Sequence, residues 1–159
     1  MLQYGKLAID GGTAVVQTPL PTGVSGPSVV DEEEIDAIAA LLRSGRIFRY
    51  RETDSEGGSF EQEAARFLGV EYALMVNSGT SALVCAFTGV GVGPGDEVIV
   101  PGYTYLSTAA AVIATGAVPV IAEIDESFGL DPADVERKIT PYTKAIAPVH
   151  MRGVPARLD

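Results

Sequence analysis

The sequence predicts an α/β fold with a mostly parallel sheet flanked by helices. Two observations carry this expectation. Short apolar runs without polar alternation recur at Tyr72–Val76, Glu97–Val100, Val118–Ile124 and Lys144–Val149, the pattern of strands buried on both faces. Between them lie helical segments joined by short polar turns, the order in which a parallel sheet is built. Such sheets bind ligands beyond the carboxyl ends of their strands. That rule singles out four loops, Asn77–Ser81, Pro101–Tyr105, Asp125–Gly129 and His150–Gly153.

In chain order, residues 1–30 are rich in Gly, Pro and Thr, with Gly11-Gly12 and Pro19-Leu20-Pro21 as breakers, and read as an irregular arm. Asp31 followed by Glu34 is a capping box. Ile35, Ile38, Ala39 and Leu42 form an apolar helical face, and Gly45 ends the helix. The acidic run 31–34 is read as a solvated helix start rather than a metal site. Three arginines, Arg46, Arg49 and Arg51, stand out in an acidic chain. They are either solvated loop charges or a patch meeting an anionic substrate or a partner chain. Ser59 to Gln62 reads as a second capping box, with Phe60, Ala64, Phe67 and Leu68 as a core-facing stripe ended by Gly69.

After the Tyr72–Val76 run, Asn77-Ser78-Gly79-Thr80-Ser81 turns the chain into a helix from about Thr80 to Phe87. A helix start presents unpaired N–H groups and partial positive charge, Gly79 permits close approach, and Ser78, Thr80 and Ser81 offer hydroxyls. This turn is either an anion cradle suited to a phosphate or an ordinary capped turn. Gly93-Pro-Gly-Asp96 turns into the next strand, a helix is expected at Leu106–Ala114, and Gly116 precedes the third strand. Asp131-Pro132 opens a short helix that Pro141 ends.

The chain of 159 residues carries 11 basic and 21 acidic residues, a net charge of −10 and a pI near 4.5. That balance opposes nucleic-acid binding. No apolar run reaches the roughly 20 residues of a membrane span, and the first residues lack the pattern of a signal peptide. A cytoplasmic location follows as the expectation. One cysteine, Cys85, excludes an internal disulfide and is read as packing. With one histidine, a dedicated metal cage is not expected.

Asn77-Ser-Gly-Thr-Ser-Ala82, Gly93-Pro-Gly-Asp-Glu-Val-Ile-Val-Pro101 and Tyr103-Thr-Tyr105 together resemble the DegT/DnrJ/EryC1/StrS family of sugar and cyclitol aminotransferases that use pyridoxal phosphate (PLP). Further matches follow in order at Gly116–Val120, Asp125, Leu130-Asp131-Pro132, Ile139–Lys144 and Val149-His-Met-Arg-Gly153. The opening Leu7–Gly12 and Pro19–Pro21 look like members acting on keto-inositols. The resemblance covers nearly the whole chain. It implies part of the large domain of a fold-type-I PLP-dependent transferase, with residues 1–58 as arm, first helix and loop, and residues 59–159 as an incomplete cofactor-binding domain.

The resemblance implies that Gly79, Thr80 and Ser81 hold the cofactor phosphate and that Tyr105 stacks on its ring. His150 is a candidate substrate contact, with a satisfied structural histidine as the competing reading; Arg49, within the arginine patch, is a second. The family's Schiff-base lysine and the carboxylate partner of the pyridine nitrogen lie beyond the matched residues, and Lys6, Lys138 and Lys144 are not candidates, so no catalytic residue is assigned. The chain by itself is expected to be inactive. The implied reaction aminates a keto sugar or keto cyclitol, such as a scyllo-inosose, with glutamine or glutamate as donor, in a homodimer. Two alternatives stand beside it, a sugar dehydratase of the same family and a non-catalytic anion-binding or assembly module. A dinucleotide-binding dehydrogenase fits poorly, because the turn lacks Gly-x-Gly-x-x-Gly spacing.

Overall fold

The computed structural model describes residues 6–18, 30–48 and 55–158. The chain divides into two compact units, Met1–Ser59 and Phe60–Asp159.

In the first unit, a single 3-10 turn at Ala8–Asp10 is followed by helix α1, Glu32–Ser44. The expected capping box is present. Asp31 accepts from the Glu33 N–H at 2.9 Å, and Glu34 Oε2 accepts from the Asp31 N–H at 2.9 Å. Gly45 closes the helix in the left-handed region, where a residue without Cβ has no steric penalty. The face formed by Ile35, Ile38 and Leu42 is exposed. Arg49 and Arg51 fall outside the described residues, as does Pro19-Leu20-Pro21.

Helix α2 runs Glu56–Leu68, a turn earlier than the Ser59 capping box predicts. The cap is Ser55, a buried serine whose hydroxyl accepts from the Gly58 N–H at 3.2 Å and whose carbonyl takes the Ser59 N–H at 2.9 Å. Two hydroxyls competed for one role, and the earlier one prevailed although Gly57 and Gly58 each cost the helix about 1 kcal/mol. Phe60 and Phe67, expected in the core, are exposed, Phe67 by 88%.

The second unit is built on three parallel strands in the order β2-β1-β3: β1 Glu97–Pro101, β2 Val118–Ala122 and β3 Thr143–Ile146. Its helices are α3 Gly79–Gly89, α4 Ser107–Ala114 and α5 Pro132–Lys138. The central strand is buried almost completely. Val98 and Val100 pack with Phe87 and Val92 from α3 and its exit, and with Ala111, Val112 and Ala117 from α4 and its exit. Strand alternation turns Ile99, also at 0% exposure, to the opposite face. Burying each such side chain stabilises by about 1.5–3 kcal/mol. Gly116, before β2, is required twice over: its φ is +84°, and a Cβ there would stand 2.9 Å from Pro94 Cγ.

The expected strand at Tyr72–Val76 is irregular instead, with Tyr72 80% exposed. A strand needs a neighbour to take its N–H and C=O groups, and among the described residues none lies beside it. The Met75 N–H of this stretch bonds a side chain instead, Glu61 Oε1, at 2.6 Å.

A carboxylate ties α5 to the sheet. Asp134, 5% exposed, accepts from the Glu123 N–H at 2.7 Å and from Arg137 Nη2 at 2.9 Å, and pairs with Lys138 Nζ at 3.1 Å. The Glu123 amide first, then Lys138 and Arg137, hold its pKa down from 3.8 to about 2. A folded pKa below the unfolded value means that the stabilisation is complete above about pH 4 and is lost as the pH falls through about 2. Asp134→Asn is expected to lower stability at neutral pH and to flatten its fall between pH 4 and 2. Urea midpoints measured across that range test this; an unchanged pH profile would remove Asp134 as the cause.

Candidate functional site

Because the three strands are parallel, their carboxyl ends share one edge of the sheet. The loops leaving β1 and β3 and the start of α3 line a cavity of about 870 Å³ there, formed by Gly79, Thr80, Leu83, Tyr103 to Tyr105, Ser107, Thr108 and Pro148 to Arg152.

The start of α3 is capped by a local network. Ser78 Oγ accepts from the Ser81 N–H at 3.1 Å, and the Ser78 carbonyl takes the Ala82 N–H at 3.0 Å. Ser81 Oγ in turn bonds Asn77 Oδ1 at 2.7 Å. One of the four orphan donors of a helix start, the Ser81 N–H, is thereby satisfied, and the Ala82 bond is the first regular one of the helix. Among the described residues the N–H groups of Gly79 and Thr80 have no partner, and both residues line the cavity. A Cβ placed on Gly79 meets nothing within 4 Å, so the space beside this residue is open.

The second loop is pinned at both ends. Gly102 N–H bonds the Ala122 carbonyl at 2.8 Å, and Thr104 Oγ1 and Thr108 Oγ1 are 2.9 Å apart. Of the two tyrosines it carries, Tyr103 is engaged: its ring lies 5.6 Å from that of Phe128, tilted by 54°. Tyr105 is 78% exposed and has no ring partner among the described residues, so its face is available to a flat ligand.

Phe128 belongs to the third loop, an Asx turn. Asp125 Oδ1 accepts from the Ser127 N–H at 2.8 Å and from its hydroxyl at 2.5 Å. The Ser127 hydroxyl and amide, together with the charge of Arg157, hold the Asp125 pKa below its ordinary value. Arg157 is ion-paired to Asp125, which fastens the segment after the fourth loop to the third.

In the fourth loop, His150 Nδ1 accepts from the Ala156 N–H at 2.9 Å. A ring nitrogen that accepts carries no hydrogen, so the neutral imidazole is the Nε2–H tautomer. Arg152 follows at φ 54°, ψ 29°, the left-handed region, which costs a residue with a Cβ about 1–2 kcal/mol. Phe128 at φ 62° is the other non-glycine residue with positive φ among those described. Both lie in loops at the carboxyl edge.

The structure thus brings Gly79, Thr80, Tyr105 and His150 to one cavity. Ser81 does not line it and is committed to the cap. Arg49 lies outside the described residues. The described lysines are elsewhere. Lys138 Nζ bonds the Ile121 carbonyl at 2.6 Å, Lys144 lies in β3, and Lys6 is in the first unit. Sequence reasoning missed the lining roles of Thr104, Ser107, Thr108 and Arg152. The first and last of these stood inside quoted motifs, but no local signal marked them as lining. Among the described residues no group of three or more His, Cys, Asp or Glu could hold a metal ion, and no helix is long and apolar enough to cross a membrane.

The solved structure of 3-amino-5-hydroxybenzoic acid (AHBA) synthase superposes with a TM-score of 0.76 at 41% identity, covering 82% of this chain and 34% of its own. The fold defines the class: the chain is part of the large domain of a fold-type-I PLP-dependent transferase. With residues 28–159 matching the family model, it belongs to the DegT/DnrJ/EryC1/StrS aminotransferase family. It is 48% identical over 124 residues to the dTDP-3-amino-3,4,6-trideoxy-alpha-D-glucose transaminase of Streptomyces venezuelae, covering 77% of this chain and 32% of that relative. It is 40% identical over 161 residues to the L-glutamine:2-deoxy-scyllo-inosose aminotransferase of Streptomyces kanamyceticus, covering 99% of this chain and 37% of that relative. The chain spans about a third of the length of the curated relatives it matches.

Proposed function

We propose that this chain supplies the phosphate- and ring-holding part of a PLP-dependent aminotransferase. The enzyme aminates a keto sugar or keto cyclitol, such as a scyllo-inosose, with glutamine or glutamate as donor, in secondary-metabolite biosynthesis. The observation that carries this reading is the meeting of two unpartnered N–H groups at the start of α3 with the free ring of Tyr105 in one cavity. The residues fit the cofactor: the helix start suits a dianionic phosphate, and the aromatic face suits a conjugated ring.

In this reading Gly79 and Thr80 bind the phosphate through their N–H groups, with the Thr80 hydroxyl as a further donor. Tyr105 orients the ring. His150, held in its Nε2–H form by Ala156, offers a donor to a substrate oxygen. The hydroxyls of Thr104, Ser107 and Thr108 suit a polyol. PLP, when bound, provides the conjugated system that carries the amino group between donor and ketone. The wider reading, a homodimer working in the cytoplasm, rests on the family rather than on this cavity.

The test uses the full chain. Borohydride reduction followed by peptide mapping is expected to trap the cofactor on a lysine, and glutamine with scyllo-inosose is expected to give an amino-inositol. A protein that takes up no PLP and forms no amine would overturn the proposal.

A further inference from the structure

We propose that Arg152 is the receptor for the α-carboxylate of the amino donor; this rests on the aminotransferase reading above. The first ground is the charge of the cavity. The chain as a whole is at −10, yet the thirteen residues lining the cavity include no carboxylate and one arginine. The second is that this arginine is unspent. Among the described residues, Arg137 and Arg157 are ion-paired to Asp134 and Asp125, whereas Arg152 has neither an ion pair nor a hydrogen bond. The third is the backbone. Arg152 is held in the left-handed region, inside a turn closed by the Val154 N–H on the Met151 carbonyl at 3.0 Å. Conformations of this kind persist where the surroundings impose them, and they concentrate at ligand sites.

Two anions must then be accommodated in one reaction, and the cavity offers two separate receptors. The start of α3 has backbone donors and hydroxyls suited to a phosphate. Arg152 is a planar five-donor fork matched to a carboxylate. Where the acceptor is a keto cyclitol, which carries no charge, the anion left for the arginine is the carboxylate of glutamine or glutamate. Its recognition there would place the donor's amino group in the same cavity as the ring face of Tyr105.

The experiment compares L-glutamine with L-glutaminamide, which keeps the amine and lacks the carboxylate charge, as donors to the wild-type protein and to Arg152→Gln. Wild type is expected to prefer glutamine strongly. The variant is expected to raise the glutamine KM by roughly tenfold or more, the worth of a charge-assisted hydrogen bond, with the acceptor KM and PLP affinity unchanged and the preference over the amide lost. Calorimetric titration with 2-methylglutamine, which has the carboxylate but no α-hydrogen, should show the same loss as a binding constant. Arg152→Asn, whose residue tolerates the left-handed region, gives the same reading should glutamine disturb the turn. An unchanged donor preference overturns the assignment, as does a rise confined to the acceptor KM. Failure of wild type to transaminate at all, by contrast, would sink the aminotransferase reading itself.

Discussion

Gly79→Val is expected to reduce PLP affinity about a hundredfold while leaving the fold intact. The second half of that statement is set by space: a Cβ at Gly79 meets nothing within 4 Å, and valine in the first turn of α3 replaces glycine, a poorer helix former. The first half is set by what the space contains. A branched side chain there stands where an anion must approach the N–H groups of Gly79 and Thr80. Each charge-assisted hydrogen bond lost is worth about 1.5–3 kcal/mol, and two together correspond to about a hundredfold or more. Spectrophotometric titration with PLP, beside a thermal melt of the same preparation, separates the two halves. Gly79→Ala should fall between wild type and valine. Wild-type affinity in the valine variant would remove the helix start as the phosphate site.

The largest effect on the fold is expected from Ile99→Asp. Ile99 is at 0% exposure in the central strand. A carboxylate there has no cation among its described neighbours in β1, Val98 and Val100, which are themselves buried. An uncompensated buried charge costs several kcal/mol, comparable to the whole net stability of about 5–15 kcal/mol of a typical domain. The protein should be recovered unfolded or insoluble. Val118→Asp, on the exposed start of the neighbouring β2, is the control and should cost at most about 1 kcal/mol. Equal urea midpoints for the two variants would contradict the central place of β1.

The contrast between these two positions shows which features were legible in the residues. Asp31 with Glu34 and Asp131 before Pro132 are caps, and each is observed where its side chain can reach the first N–H groups. The Gly93–Asp96 turn is also observed, with the Gly93 N–H on Asp96 Oδ2 at 2.9 Å. Such features depend on three or four consecutive residues, so the sequence contains all the information they need. The start of α2 was not legible, because Ser55 and Ser59 are equally good caps in isolation. Tyr72–Val76 misled for a related reason: an apolar run is compatible with a strand, but a strand is completed only by its neighbour.

At the site, the helix start at Gly79 and Thr80 was readable from the residues, and Tyr105 was singled out by the resemblance; the structure brings all three to one cavity. Arg152 was not readable, since a left-handed arginine looks like any other arginine in a list of letters. Nor could residue types alone separate Tyr103 from Tyr105; the ring of Phe128, 25 residues beyond Tyr103, engages one and leaves the other open.

By itself, then, the sequence determined the α/β class, the parallel sheet, most helix ends and the loops at the carboxyl edge of the sheet, because hydrophobic period and capping are local properties. The tertiary structure alone decided the strand order β2-β1-β3, which tyrosine is free, that Ser81 serves the cap rather than the cavity, and that Arg152 shares a cavity with Gly79. Apart from the Ser81 cap, which is local, those outcomes depend on which distant groups meet, and a meeting such as that of Gly79 with Arg152, more than 70 positions apart, leaves no mark on the residues nearby.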